Sequence, residues 1–243
     1  MGNEHGEWIL FGAQAGDPGC LTTPEELLEY IDRIGFLPLF RNSVPGFSVE
    51  EHTLPGGWWS GDVKNDPWEW RGILAATGRV AYGKFFDRKA GFISLKWLPY
   101  FVNWRRDGYD FDARWEDAKA GRRHKKIMDL FAEGQSLFSY EIKAAAGFGK
   151  DGEKNFEGTV TDLQMQTYLC VRDFRQKLNK QGLPYGWNVG VLTAPETLWG
   201  YEAVTTAYSE EPEISKARIY EHLRAVCPTA TDSQIDKILH FKA

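Results

Sequence analysis

The spacing of apolar residues predicts three short helices in succession in the middle of the chain. In the first, Ile127, Leu130 and Phe131 recur at intervals of three and four, which places them on one buried face. The second, residues 139–146, is alanine-rich, as is typical of a tightly packed middle helix. In the third, residues 155–164, one face is apolar, and we expect the opposite, polar face to point outward.

After the third helix the pattern changes to that of a β-ribbon. Residues 168–172 and 185–191 are β-branched and aromatic, and Asn179-Lys180-Gln181-Gly182 lies between them as a basic loop. Three helices followed by such a ribbon are the order of a winged helix-turn-helix. In proteins of that class the third helix enters the major groove of DNA, and basic residues hold the phosphates.

The patterns on either side of this region are also mixed. Proline-led capping sequences at Thr23 and Asp66 begin two helices, and residues 80–94 are typical of a hairpin. We therefore expect an α+β fold in three parts. They are an aromatic-rich α+β N-terminal half with a hairpin (residues 1–118), a winged helix-turn-helix core of three helices plus a β-hairpin wing (residues 119–193), and a helical C-terminal segment (residues 194–243).

Composition narrows the class of protein further. With 243 residues, 42% of them hydrophobic and 14% aromatic, the chain has ample material for a core. It has no run of about 18 apolar residues, and Met1 to Trp8 lacks the features of a secretory signal, so we expect a cytoplasmic protein with no membrane span. Three distant cysteines and five scattered histidines give no metal-ligand spacing, so we expect neither a metal nor a cofactor.

The distribution of charge points to nucleic acid more strongly than the total does. A net charge of -5 argues against non-specific coating of nucleic acid, yet residues 119–126 hold five cations and no acid. The residues that we expect to contact DNA are Arg122, Arg123, Lys125, Lys126, Lys150, Lys154, Arg172, Arg175, Lys177 and Lys180. The alternative is that a helix beginning near Asp112 makes the first group a solvated mid-helix face, and that the ribbon cations only protect a sheet edge.

Three stretches carry a resemblance to a known family. They are Asp66-Pro67-Trp68-Glu69-Trp70-Arg71, then Tyr82-Gly83-Lys84-Phe85-Phe86 with Lys89-Ala90-Gly91-Phe92-Ile93-Ser94, and Tyr100-Phe101-Val102-Asn103-Trp104-Arg105-Arg106. On these stretches the chain resembles the AlkZ-related proteins, remote relatives of the AlkZ-type winged-helix DNA glycosylases. The resemblance implies winged helices around a DNA channel and a link to DNA repair.

The true glycosylases excise damaged bases with a Gln-x-Gln or Gln-x-Asp motif just after an early helix. At that place this chain reads Phe36-Leu37-Pro38-Leu39-Phe40, in which no side chain can orient a water or stabilise an oxocarbenium ion. Gln164-Met165-Gln166 occurs later, at the end of the third helix, where capping of carbonyl groups is the simpler interpretation. The candidate catalytic residues are therefore Asp66, Glu69, Gln164 and Gln166, each of them weak.

Other candidate sites have simpler explanations. The aromatic residues Tyr82, Phe85, Phe86 and Phe92 could form a base-stacking pocket, but core packing explains them as well. The aspartates of the segment 106–112 could gather a divalent cation, although a hydrated loop before a helix is the simpler interpretation. Three functions stay open: a DNA-binding winged-helix protein that takes double-stranded DNA, a divergent DNA N-glycosylase, and a winged-helix scaffold for a protein or a small acidic ligand.

Overall fold

The computed structural model describes residues 10–240, and in them the chain has the α+β class that the sequence predicts. Met1 to Trp8, on which the expectation of no secretory signal rests, lies outside the described residues. The helices are α1 (Pro24–Ile34), α2 (Pro67–Thr77), α3 (Leu98–Arg106), α4 (Phe111–Glu116), α5 (Arg122–Met128), α6 (Ser139–Ala145), α7 (Phe156–Met165), α8 (Pro195–Trp199), α9 (Tyr201–Val204), α10 (Pro212–Val226) and α11 (Asp232–Leu239). The strands are β1 (Phe36–Pro38), β2 (Val80–Phe86), β3 (Lys89–Ser94), β4 (Ser136–Phe138), β5 (Cys170–Leu178) and β6 (Pro184–Thr193). No helix within residues 10–240 is both long and apolar enough to cross a membrane.

The six strands form one antiparallel sheet in the order β1-β3-β2-β5-β6-β4. The predicted hairpin is β2–β3, and it joins the later ribbon β5–β6 through a single residue pair, Tyr82 with Val171. Strand β4 was not predicted from the sequence. It lies just before α6 and pairs with the last residues of β6. The N-terminal half and the ribbon are therefore parts of the same sheet.

The predicted helix starts form where the capping residues indicate. The Thr23 hydroxyl accepts a hydrogen bond from the Glu26 backbone N–H at 3.2 Å, and Pro24 follows at the first helical position. The Asp66 carboxylate caps α2 by accepting from the Trp68 backbone N–H at 2.9 Å. Both caps use donors that the first turn of a helix leaves without an intrahelical acceptor, which fixes where each helix begins.

Two hydrophobic cores lie in the described residues. The larger one contains the buried faces of α1, α2, α3, α10 and α11 with strands β1 to β3. The smaller one is formed by α5, α6, α7 and the inner end of β6, and the residues that build it include Ile127, Phe131, Ile142, Phe156, Val160, Leu163 and Leu192. Residues that are far apart in the middle of the chain therefore share a core of their own.

Buried arginines of α3 join the two cores. Arg106, only 1% exposed, pairs with Glu196 at the start of α8 and donates to the Thr167 carbonyl at 2.7 Å. Its guanidinium also lies over the Tyr168 ring, 4.6 Å from the centroid. Arg105 beside it donates to the Met165 carbonyl at 3.1 Å. These two arginines therefore connect the segment after α7 to α3 within the protein interior.

Candidate nucleic-acid interface

The cations of residues 122–126 lie at the beginning of a helix. Helix α4 ends at Glu116, and α5 begins at Arg122 after Gly121 as N-cap, so the two are separate helices. The alternative of one helix that begins near Asp112 is therefore wrong. Because cations in a first turn oppose the helix dipole, their position there needs a compensating partner.

Glu153 supplies that partner. The Arg122 guanidinium and the Lys126 ammonium both contact its Oε1 atom at 2.8 Å, and they lower the pKa of this carboxyl to about 2. Lys125 pairs with Asp129, the residue that follows α5. Arg122 nevertheless keeps 75% of its side chain exposed. Arg122 and Lys126 therefore hold the loop of Glu153 in place, and Arg122 still faces solvent, where a phosphate would compete with Glu153.

The loop between α6 and α7 carries Lys150 and Lys154. The Arg123 guanidinium donates to the Lys154 carbonyl at 3.0 Å, which ties this loop to α5. The Lys154 ammonium donates to the Gly149 carbonyl at 2.9 Å and also contacts the Lys150 carbonyl, whereas the Lys150 side chain is exposed. The structure thus brings Arg122, Arg123, Lys126 and this loop together in one cluster, which we call the α5 cluster.

The remaining predicted cations follow the ribbon β5–β6. Arg172 donates to the Ser136 hydroxyl at 3.2 Å, and Arg175 pairs with Asp173 at 2.7 Å. The Lys177 ammonium lies 4.6 Å from the centre of the Tyr140 ring, a cation–π distance. Lys180 is exposed in the loop at the tip of the ribbon. These four side chains form a second group, which we call the ribbon cations.

The expectation that the polar face of α7 points outward is wrong. Phe156, Val160 and Leu163 are buried as predicted, but Thr159, Thr161 and Gln164 on the rest of the helix are buried as well. The turn of the hairpin β2–β3 covers that polar face. A helix covered in this way cannot enter a DNA groove in the conformation that the structure describes.

Specific contacts hold the hairpin against α7. The Lys84 backbone N–H donates to the Gln164 side chain at 3.0 Å, and the Lys84 ammonium donates to the Thr161 hydroxyl at 3.2 Å. In the turn itself, Arg88 pairs with Asp162. The polar side chains of α7 that the winged-helix prediction directs toward DNA bases therefore form contacts with the hairpin β2–β3.

The candidate catalytic residues take structural positions. Asp66 is 1% exposed and accepts from three backbone N–H groups, those of Trp59, Gly61 and Trp68. Gln164 is buried against Lys84, Gln166 is the C-cap residue of α7, and Glu69 is half-buried in the first turn of α2. Asp66 and Glu69 lie at the start of α2, and Gln164 and Gln166 lie at the end of α7, so their positions do not suggest a shared reaction centre.

The aromatic residues of the hairpin belong to the core. Tyr82, Phe85, Phe86 and Phe92 are each at most 4% exposed, and their rings pack against one another at centroid distances such as 4.9 Å between Tyr82 and Phe92. Their hydrophobic burial leaves no ring face open to a nucleobase. Core packing is therefore the interpretation that the structure supports.

A cavity of about 710 Å³ lies beside Phe40, next to the place where the glycosylase motif is expected. Its lining includes Phe40, Arg41, Glu50, Asp87 and Lys89. Both Glu50 carboxylate oxygens accept backbone N–H groups, from Phe11 at 3.0 Å and from Arg41 at 2.9 Å. Sequence reasoning missed this site because its residues come from several separate segments, at positions 11, 40–50, 87–89 and 237–238.

The structure thus defines an α+β protein with a core of three helices and a ribbon, and with surface cations on α5 and on that ribbon. The chain belongs to the AlkZ-related family, because the family model described as AlkZ related matches residues 21–240. No curated protein and no solved structure matches the chain.

Proposed function

We propose that this protein binds double-stranded DNA through a winged helix-turn-helix formed by α5, α6, α7 and strands β4 to β6. The order of these elements supports the proposal, as does the pairing of the short strand β4 with the end of β6. The hydrophobic core that the three helices share with β6 gives the unit internal packing of its own. Membership of the AlkZ-related family supports a role connected with DNA repair.

The contact we propose is with phosphates and is independent of base sequence. In a winged helix, α7 would read the major groove. Here its polar side chains instead form hydrogen bonds and an ion pair with Lys84 and Arg88. The cations of the α5 cluster remain exposed to solvent. Cations that bind phosphates release counterions and supply affinity without base recognition.

The observation that carries the proposal is the α5 cluster on the surface of the three-helix core. Arg122 is 75% exposed even though it pairs with Glu153, so a phosphate can reach it without unfolding any element. An acidic protein with a net charge of -5 that keeps such a cluster on one face has a local site for a polyanion.

Fluorescence anisotropy with a labelled duplex of about 20 base pairs tests the proposal between about 50 and 200 mM salt. The variant Arg122→Ala/Arg123→Ala/Lys125→Ala/Lys126→Ala removes the α5 cations of the cluster and the neighbouring Lys125, and it should lose most of the affinity and flatten the salt dependence. The matched control removes the same charge from α10 and α11, as Lys216→Ala/Arg218→Ala/Arg224→Ala/Lys237→Ala, and should bind as the wild type does. If the affinity does not change with salt concentration, or falls equally in both variants, DNA binding through the α5 cluster is contradicted. A complete lack of DNA binding would favour a protein-binding scaffold.

The cavity beside Phe40 favours a second candidate function, a divergent DNA N-glycosylase. The lining contains two carboxylates, and Glu50 accepts hydrogen bonds from backbone N–H groups with both of its oxygens. Asp87 is therefore the carboxylate that would assist the release of a base. Incubation with alkylated duplex DNA followed by heat should then produce strand breaks that Asp87→Asn abolishes. If the wild type produces no such breaks, this second function is excluded for alkylated bases.

A further inference from the structure

The outer part of the ribbon β5–β6 presents apolar side chains to solvent. Strand β2 pairs with β5 at Val171, and β4 pairs with β6 at residues 191–193, so beyond these points the ribbon is paired only with itself. The exposed apolar side chains there are Leu178 (64%), Leu183 (58%), Tyr185 (51%) and Trp187 (92%). Among residues 10–240, Trp187 is the most exposed of the large hydrophobic residues.

A β-bulge determines where Trp187 lies. Between the pairs Arg175–Val189 and Lys177–Tyr185, the single residue Gln176 of β5 lies opposite three residues of β6, Gly186 to Asn188. Gly186 adopts a φ of 74°, which favours glycine, and the Gln176 side-chain amide donates to its carbonyl at 2.8 Å. Bulges of this kind redirect a side chain, here the indole of Trp187 into solvent.

Several aromatic rings and one cation, Lys177, lie on the surface that leads to this bulge. Tyr185 and Lys177 are directly paired across the ribbon, so they share one face. The Lys177 ammonium lies over the Tyr140 ring at 4.6 Å, and that ring stacks on Phe138 with centroids 5.2 Å apart and planes at 20°. The row therefore runs from Phe138 through Tyr140 and Lys177 to Tyr185, with Trp187 next along β6.

The chemistry of this row indicates what it binds. Exposed flat rings on a ribbon that also carries cations suit a flexible polyanion with exposed aromatic faces, which describes a nucleic-acid strand with unpaired bases. In an intact duplex the base faces are stacked on one another and closed to a side chain. A purely apolar partner surface would leave Lys177, Lys180 and the other ribbon cations without a complement.

We propose that the ribbon surface binds unpaired nucleobases in single-stranded or locally melted DNA, with Trp187 stacked on a base. The ribbon cations contact the phosphates on either side of it. This inference rests on the proposed DNA binding and adds a substrate class to it, namely DNA in which bases are unpaired. Duplex binding through the α5 cluster and strand binding through the ribbon are separate contacts.

The test compares three labelled DNAs at the same salt concentration: oligo(dT), an intact duplex, and the same duplex with a central run of mismatches. The variants are Trp187→Ala, Trp187→Leu and Trp187→Phe, and Ile214→Ala removes an exposed apolar side chain from α10 as a positional control. Because Trp187 is 92% exposed, all of its variants should keep the wild-type urea midpoint.

Stacking predicts that Trp187→Ala and Trp187→Leu each weaken binding to oligo(dT) and to mismatched DNA by at least about fivefold. Trp187→Phe should restore most of that affinity, since it retains a ring, and the intact duplex should bind all variants equally. If duplex binding is normal and the Trp187 variants bind unpaired DNA as the wild type does, the inference fails and the proposed function stands. If the wild type binds none of the three DNAs, the proposed function itself is overturned.

Discussion

The buried ion pair between Arg106 and Glu196 holds together the three parts of the chain that the sequence separates. Arg106 comes from α3 and contacts Thr167 and Tyr168 after α7, while Glu196 begins the helical C-terminal segment. The change Glu196→Gln keeps the shape of the side chain and removes its charge. It leaves a guanidinium that is 1% exposed without its carboxylate, which is the costly way to break a buried pair.

The expected loss of stability is about 3 kcal/mol, at the lower end of the range for breaking a buried pair. The lower end applies because the Glu196 side chain is 27% exposed, so this carboxylate keeps part of its hydration in the folded protein. Arg224→Ala removes one partner of a surface pair with Asp232, in which the two side chains are 48% and 76% exposed. That control should cost less than about 1 kcal/mol.

Urea unfolding measures both changes, followed by tryptophan fluorescence and by far-ultraviolet circular dichroism. We expect one cooperative transition that moves to lower urea with an unchanged slope in Glu196→Gln. Such a result would indicate that residues 1–118, 119–193 and 194–243 unfold together. A loss no larger than that of Arg224→Ala would refute the argument from burial, and two separate transitions would refute the argument that the pair joins the three parts.

Two further predictions concern Glu153, the partner of the α5 cluster, and His124, which lies on α5. Glu153→Gln removes the carboxylate that competes with phosphate for Arg122 and Lys126, so the dissociation constant for duplex DNA should fall by about threefold or more at fixed salt. Since the pKa of Glu153 is lowered to about 2, the carboxylate is ionised throughout the neutral range, and anisotropy should show the same gain at about pH 6 and about pH 8. Burial lowers the pKa of His124, so the folded state favours the neutral ring. Because the unfolded chain takes up a proton at this histidine more readily, the free energy of unfolding decreases as the pH falls below about 6.5. Urea midpoints should therefore drop less in His124→Asn than in the wild type on going from about pH 7.5 to about pH 5.5.

The sequence predicted α1, α2, α5, α6, α7 and the hairpin β2–β3 because their signals are local. An apolar stripe such as Ile127, Leu130 and Phe131, or a cap such as Asp66, depends on a few consecutive residues. Strand β4 has three residues and exists because it pairs with β6, more than fifty positions later. No local pattern of that length distinguishes a strand from a loop.

The candidate site was harder to predict because its contacts are not local. The amphipathic pattern of α7 correctly indicated one buried face, but Lys84 and Arg88, which cover its polar face, lie more than seventy positions earlier. The exposure of Trp187 depends on the bulge opposite Gln176, and strand periodicity does not reveal a bulge.

The covering of α7 and the exposure of the ribbon tip follow from the same strand pairing. Because β2 meets β5 at the pair Tyr82–Val171, the hairpin β2–β3 lies alongside the three-helix core and brings its turn onto α7. That pairing ends within one residue pair, and the ribbon continues past it without a neighbouring strand on that side. This arrangement covers the polar face of α7 with the hairpin turn and leaves Arg122 and Trp187 exposed to solvent. For this protein, we therefore expect DNA recognition to depend on phosphates and on unpaired bases, and not on the sequence of the duplex.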